Sequence, residues 1–369
     1  MRTRTGRSIV IVIALLVAWL GSSVRPSRTG AQVGASYGGR AIAVRVDVPA
    51  TGIALSFADS GALSASGGGV GSEALSASVP GGQTAGLVSL AAGPLHAATI
   101  GQLSTDAEAS LADVDLTISG IGITVGFLMA RSSVSCEAAP AGAGRSQLAN
   151  LVINGQPIAI TGTPNQTLSV PNGSVIINEQ AGAVGRGGAH LTVNALHVTT
   201  RDPITRLVVA DVVLASADAA IQCQTGSALF ASPAWAQSTE PEFATGGGWI
   251  PVGEGKATFG FVAGTDGNGH LVYDDHEVDL VIESTSMTSV TADCHSTIHA
   301  AGIARTNGTT QEVTFQVDVT DAGEPGRNDT FSIRVDSLAY VRAGTLGGGN
   351  IEVDGSFAGG KILAHGRGC

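Results

Sequence analysis

Short runs of alternating apolar and polar residues, interrupted at close intervals by Gly, Pro and Asn, constrain this chain more than any other feature. RAIAVRVDVP from Arg40, LADVDLTI from Leu111, HLTVNALHV from His190 and TRLVVADVVL from Thr205 all alternate with period two. In an extended strand that period puts every second side chain on one face. In LANLVINGQPIAITG, Asn154-Gly155 separates two apolar runs, as expected of a two-residue hairpin whose turn positions both need positive φ. Pro171-Asn172-Gly173 marks another turn before SVIIN. KATFGFVAG, HLVYDD, VDLVIES, TSVTADCHSTIHAAGIA, EVTFQVDVTD and DTFSIRVDSLAYVRAG repeat the pattern, with TDGNG, RTNGTT and DAGEPGRND as turns. That second region reads as six or seven strands. Leu103 to Leu111 is the one stretch with a helical reading. The duplicated ALSAS at 62–66 and 74–78 reads as two arms of a hairpin.

The expectation is an all-β chain: two antiparallel β-sandwich or barrel-like domains joined by a flexible linker, after an N-terminal signal peptide. Its 369 residues suffice for two cores. Gln224 to Gly248 has no periodicity, two prolines and many small residues, which is linker composition. The boundaries are therefore 1–31 for the signal, 34–223 for the first domain, 224–244 for the linker and 245–369 for the second. Only 13% of residues are charged and 52 are Gly, which argues against coiled coils and helical bundles. A mean hydropathy of +0.27 argues against disorder. A formal charge of -11 excludes a basic nucleic-acid binder.

Arg2, Arg4 and Arg7 precede an apolar run from Ile9 to Leu20, followed by Gly21, Ser22 and Ser23. This is the layout of a secretory signal, and the run is shorter than the ~20 residues that span a bilayer. Cleavage after Ser23 or Ala31 is expected, an uncleaved anchor being the alternative. Removing residues 1–31 takes away five arginines and no acid, moving the formal charge from -11 to -16. The expected location is outside the cell or on its surface, with no nucleic-acid partner and no membrane insertion beyond the leader. Four cysteines without C-x-x-C spacing suit disulfides in an exported chain. The expected pair in the first domain is Cys136–Cys223; in the second Cys294 pairs with Cys369, the alternative being a terminal Cys369 that frays or pairs between chains.

Motifs of catalysis are weak. Gly34-Ala35-Ser36-Tyr37-Gly38 matches G-x-S-x-G, but no strand precedes Ser36 as a nucleophile elbow requires. Gly355 to Lys361 approaches a P-loop, with Ile362 where the Mg²⁺-binding Ser/Thr belongs. Cys294, His295 and His299 invite a zinc reading, yet four residues along a strand span ~13 Å, too far for one ion. His190 and His197 read as ordinary strand residues. Calcium has better candidates in Asp266, Asn268, Asp274 and Asp275, and a second acidic run holds Asp318, Asp321, Glu324 and Asp329. Oxygen ligands on turns suit Ca²⁺, but neither run fits an EF-hand, and Asp and Asn also favour turns by bonding their own backbone. One tryptophan in a domain, Trp249, is too few for a sugar platform. The four N-x-[ST] asparagines, Asn165, Asn172, Asn307 and Asn328, read as turn residues. The expectation is no catalytic residue and no cofactor, with Ca²⁺ the alternative.

Longer signatures carry a family resemblance. SYGGRAIAVRVDV, GIGITVGFLMARSSVSC and LTVNALHVTT…DVVLASADAAIQC resemble the choice-of-anchor P family. GGGWIPVGEGKATFGFVAG…GHLVYDDH…DVTDAGEPGRNDTFSIRV is similar to a module that often follows that domain. The resemblance implies bacterial export and surface display. The end, HGRGC, has no sortase motif and no apolar tail, which implies release or non-covalent wall association. The expected function is a non-enzymatic exported surface, structural or adhesion-type protein, with cell-wall or extracellular matrix components as partners. The alternatives are a secreted hydrolase or metal-dependent enzyme lacking short motifs, and a Ca²⁺-stiffened binding module.

Overall fold

A computed structural model describes residues 35–136, 139–223, 243–264, 269–292, 296–323 and 326–353, all within one compact unit. The chain begins with β1 (Ser36–Val48), β2 (Ile53–Asp59), β3 (Gly68–Ala74), β4 (Ala77–Val79), β5 (Val88–Ala92), β6 (Leu95–Gly101), β7 (Ser104–Ile118) and β8 (Ile121–Ser135). There follow β9 (Ala141–Ala149), β10 (Val152–Ile153), β11 (Gln156–Pro157), β12 (Gln166–Val170), β13 (Gly173–Gly185), β14 (Gly188–Arg201) and β15 (Val208–Gln222). Three short 3-10 turns are the only helical elements among the described residues.

These strands make a sandwich. One sheet has the order β12-β13-β14-β15-β1-β2; the other runs β11-β10-β8-β7-β5-β4, with β9 beside β8 and the β3–β6 pair attached to β7. β14 and β15 lie over β7 and β8, and Val44, Val46, Leu111, Leu116, Leu128, Leu196 and Leu214 fill the space between. Alternation explains this packing. Along the second half of β7, Val114, Leu116 and Ile118 are buried while Asp113 and Asp115 are exposed.

The second half of the chain supplies β16 (Phe243–Val252), β17 (Gly255–Gly264), β18 (Gly269–Asp275), β19 (Leu280–Ala292) and β20 (Thr297–Thr306). It ends with β21 (Glu312–Thr320), β22 (Thr330–Val335), β23 (Tyr340–Thr345) and β24 (Gly348–Val353). From β16 to β23 the strands form an up-and-down antiparallel meander, and β24 returns to pair with β16. Curling of the twisted sheet brings β23 against β16. Phe259, Phe261, Leu271, Tyr273, Phe315 and Phe331 fill the concave side, and the Phe259 and Phe331 rings stack at 4.0 Å.

The all-β expectation holds, and its turn residues sit where predicted. Asn154 (φ 49°) and Gly155 (φ 76°) close the β10–β11 hairpin, and Asn172 (φ 57°) closes β12–β13. Asn165 and Asn307 also take positive φ. Other expectations need correction. Leu103–Leu111 is not helical: it lies almost entirely in β7, where pairing with β6 and β8 outweighs the helix propensity of its Ala, Glu and Leu. The two ALSAS copies are not hairpin arms, because residues 62–66 are in no strand while β3 pairs with β6 and β4 with β5. TSVTADCHSTIHAAGIA is not one strand but the adjoining parts of β19 and β20. Among its described residues the second region has nine strands, where six or seven were expected. Gly246 to Gly248, at the start of the expected second domain, lie inside β16; residues 224–242 of the expected linker fall outside the described residues.

Candidate functional site

β6 is buried along its whole length, and β7 is buried from Ser104 to Ala112. Continuous burial replaces alternation there because the second half covers the outer face of that sheet: β16, β17 and β18 contact β3, β6 and β7, and β24 contacts β8 and β9. Small residues permit the approach. A Cβ on Gly247 would lie 2.1 Å from Ser110 Oγ, and one on Gly260 would lie 2.8 Å from His96 Cβ. Ala112, Phe127 and Met129 form a small apolar patch against which Ala149 and Trp249 pack.

The rest of this junction is ionisable. At one end Glu73 of β3 stands between two imidazoles: His96 Nδ1 is 3.2 Å from its Oε1, and His270 Nδ1 of β18 is 3.6 Å from its Oε2. His96 Nε2 is 2.9 Å from Thr245 Oγ1 on β16. Burial alone would raise the Glu73 carboxyl, but hydrogen bonds from His270 and His96 hold it below its ordinary value. Burial disfavours the charged His270, and Glu73 more than offsets this, raising it.

Deeper in the junction, Arg131 of β8 meets Glu352 of β24 at 2.5 Å and Asp106 of β7 at 3.7 Å. Glu108, 3% exposed, accepts from Asn350 Nδ2 through Oε2 at 3.4 Å, while its Oε1 is buried without a hydrogen-bond partner. Arg145 donates to Asn350 Oδ1 at 3.2 Å, and the Gly349 N–H donates to Gln147 Oε1 at 3.1 Å. Asp329 receives the N–H groups of Ala322 and Ile351 at 2.9 and 2.8 Å. Asp321 receives those of Gly323 and Val353.

Desolvation dominates these carboxyls. It raises Glu108 and Asp321 despite their donors. It pushes Asp329 up to about 6, and its neighbours Asp321 and Glu108 add to the effect. It pushes Glu352 up to about 8: Arg131 opposes the shift, and Asp106, Glu108 and Asp321 reinforce it. At the far edge of the junction Lys256 donates to Asp113 at 2.7 Å, with His276 Nε2 3.3 Å from the same carboxylate.

The residues singled out in the sequence lie mostly elsewhere. Asp266, Asn268, Glu324, Cys294, His295, His365 and Cys369 fall outside the described residues. Asp275 is fully buried and receives Tyr340 Oη at 2.6 Å and Arg342 Nε at 2.8 Å. Asp274 lies 4.0 Å from His276. His299 pairs with Asp318 at 2.6 Å, and His190 with Asp218 at 2.7 Å. His197 stands between Glu179 at 2.8 Å and Asp211 at 3.0 Å. Ser36 opens β1 opposite Gln222. Cys136 and Cys223, past the ends of β8 and β15, are at disulfide distance. Among the described residues no group of three or more His, Cys, Asp or Glu is arranged to hold a metal ion.

Sequence reading missed the junction because Glu73, His96, Glu108, Arg131 and Glu352 come from five strands. The available signal was local: in STDAEASLA the polar face carries acids, yet lacks the Lys, Arg and Thr typical of an open strand face. Two hollows complete the picture. One, of about 10 Å³ within the second core, is lined by apolar side chains including Phe261, Leu271 and Phe315, with room for about one water. The other is an open groove of about 190 Å³ beside the β13–β14 hairpin, with His190 its one ionisable residue. No family model, no curated protein and no solved structure matches this chain.

Proposed function

We propose that this chain is an exported, non-enzymatic scaffold that presents two joined β modules outside the cell, as its resemblance to the choice-of-anchor P family implies. One observation carries the reading. Among the described residues, the ionisable groups gathered between the two halves pair with one another, Glu73 with His96 and His270 and Arg131 with Glu352. A reaction centre needs convergent titrating groups around a cavity. The basic, apolar and small-residue layout of residues 2–23 supports export, and the Cys136–Cys223 pair suits an oxidising compartment. The acidic surface suits solubility there. Cell-wall or matrix polymers are the partners of this reading.

Fractionation of the producing cells, with N-terminal sequencing of the product, tests it. The expected product lies in the medium or on the surface and begins after Ser23 or Ala31. Intact chain retained in the cytosol overturns the proposal.

A further inference from the structure

One end of the sandwich differs in charge from the rest of the chain. The turns at 49–52, 80–87, 119–120, 154–155, 171–172 and 202–207 gather there. Ser119 Oγ lies 2.8 Å from Thr200 Oγ1, and its N–H donates to Leu87 O at 2.7 Å. The Arg201 N–H donates to Asn172 O at 2.7 Å, and the Asn154 N–H to Gly122 O at 2.8 Å. Asp47 pairs with Asp211 near the start of β15, which brings the 49–52 turn to the same end. The chain has 30 acids and 19 basic residues, yet the only charged residues in these six turns are Asp202 and Arg206, with Arg201 adjoining.

From this end one loop projects. Ile204 is 88% exposed and Leu207 68%, the two most exposed large apolar side chains among the described residues. Pro203, Arg201 and Arg206 are exposed beside them. A scattered exposed apolar residue is ordinary, but this pair is held out by its loop. Asp202 Oδ1 accepts the N–H groups of Ile204 and Thr205 at 3.0 and 2.7 Å, and the Asp202 N–H donates to Leu207 O at 2.9 Å. The single carboxylate of this end is thereby turned back onto its own backbone. The start of β1, Cys136 and Cys223 lie at the opposite end, and the meander covers β3, β6 and the first half of β7.

We infer that this end of the sandwich docks on an anionic phospholipid bilayer, Ile204 and Leu207 entering the boundary between headgroups and acyl chains while Arg201 and Arg206 meet the phosphates. The charges match, and no unengaged carboxylate of the six turns opposes them. A projecting tip also suits a medium that closes around it, whereas a protein partner would need a cavity shaped to the loop. Apolar side chains flanked by arginine are the composition of an interfacial contact. Acids elsewhere on the chain are screened beyond ~10 Å at ordinary salt, so the local charges decide the encounter. The contact is peripheral: no helix among the described residues is long and apolar enough to cross a membrane. The inference goes beyond the scaffold reading and does not depend on it.

The test uses the full chain carrying Leu15→Asp and Leu16→Asp in every sample, which removes the apolar run of the leader as a competing anchor. Ile204→Trp adds an emission expected to shift to the blue with mixed phosphatidylglycerol–phosphatidylcholine vesicles and to be quenched by brominated acyl chains. The emission added by Val184→Trp, at an exposed site on the β13–β14 hairpin of the opposite end, is expected to stay unchanged. In co-sedimentation, Ile204→Ser with Leu207→Ser should lower partition onto these vesicles by about tenfold or more. Arg201→Gln with Arg206→Gln should lower it about tenfold there and little on phosphatidylcholine alone. Far-ultraviolet dichroism verifies the fold of each variant. Should the serine pair fail to fold, the two tryptophan variants decide alone. An unshifted Ile204→Trp emission, equal shifts at both ends, or a folded serine pair that partitions like the parent overturns the inference. So does a blue shift that grows with protein concentration in the absence of lipid, which would make the occupant a second copy of the chain.

Discussion

His197 stands between carboxylates on both neighbouring strands, so each ring nitrogen faces an acceptor and the imidazolium is favoured. Hydrogen bonds to Asp211 and Glu179 outweigh partial burial and raise it to about 9. A raised histidine stabilises the fold fully below its ordinary value of 6.5, and that contribution is lost as pH rises through about 9. Glu179, which His197 holds below its usual range, adds stability that disappears only in acid, as pH falls through its depressed value. His197→Gln is therefore expected to cost on the order of 2 kcal/mol at pH 7. Denaturant melts at pH 7 and pH 10 check it: the gap between variant and parent should close at the higher pH. Asp275 gives the contrasting case. It is fully buried, and Arg342 and Tyr340 close on it from β23, across the curl of the meander. Asp275→Asn removes a charged acceptor from Tyr340 and Arg342, while Arg342 keeps Glu277 at 3.4 Å and access to solvent. It should destabilise the second half by about 1–2 kcal/mol in urea melts. Because that carboxylate is already engaged, a chelator should leave the parent's thermal midpoint unchanged.

Strands explain why the architecture was legible and the junction was not. The alternation in Val114 to Ile118 and the positive-φ residues Asn154-Gly155 are local signals, and the structure follows both. β7 shows where locality ends. Its first half has an amphipathic sequence but is covered on both faces, and the covering strand β16 lies over a hundred residues away. The composition of the Gly246–Gly248 run has the same long-range cause. Three glycines resemble a linker, whereas in β16 the missing side chain of Gly247 makes room for Ser110 and His96. Gly247→Ala should thus cost about 1–3 kcal/mol through overpacking, measured by thermal or urea unfolding. Gly122 in β8 has open space where its Cβ would lie, so Gly122→Ala should be neutral or slightly stabilising. Equal losses at both positions would mean that strand propensity, and not close approach, governs the glycines.

At the scale of the whole molecule, one covalent link bears on how the sandwich is held. Cys136 follows β8 in one sheet, and Cys223 follows β15 in the other. The pair closes the two layers at one end, across a sequence separation of 87. Tying such distant points restricts the unfolded chain far more than the folded one, by about 4–5 kcal/mol for a loop of that length. The apolar core of the sandwich is rich in Ala, including Ala41, Ala43, Ala107, Ala109, Ala195 and Ala217, and each buries less area than Val or Leu would. A thin core makes the link consequential. Reduction, or Cys136→Ser with Cys223→Ser, is expected to lower the unfolding free energy of the first half by a few kcal/mol while leaving the meander's transition in place. Two-probe melts on a Tyr37→Phe background distinguish these outcomes: far-ultraviolet dichroism follows both halves, whereas Tyr273 and Tyr340 absorbance follows the second. A common shift of both transitions would mean that the two halves, in contact through β6, β7 and β16, unfold as one cooperative unit.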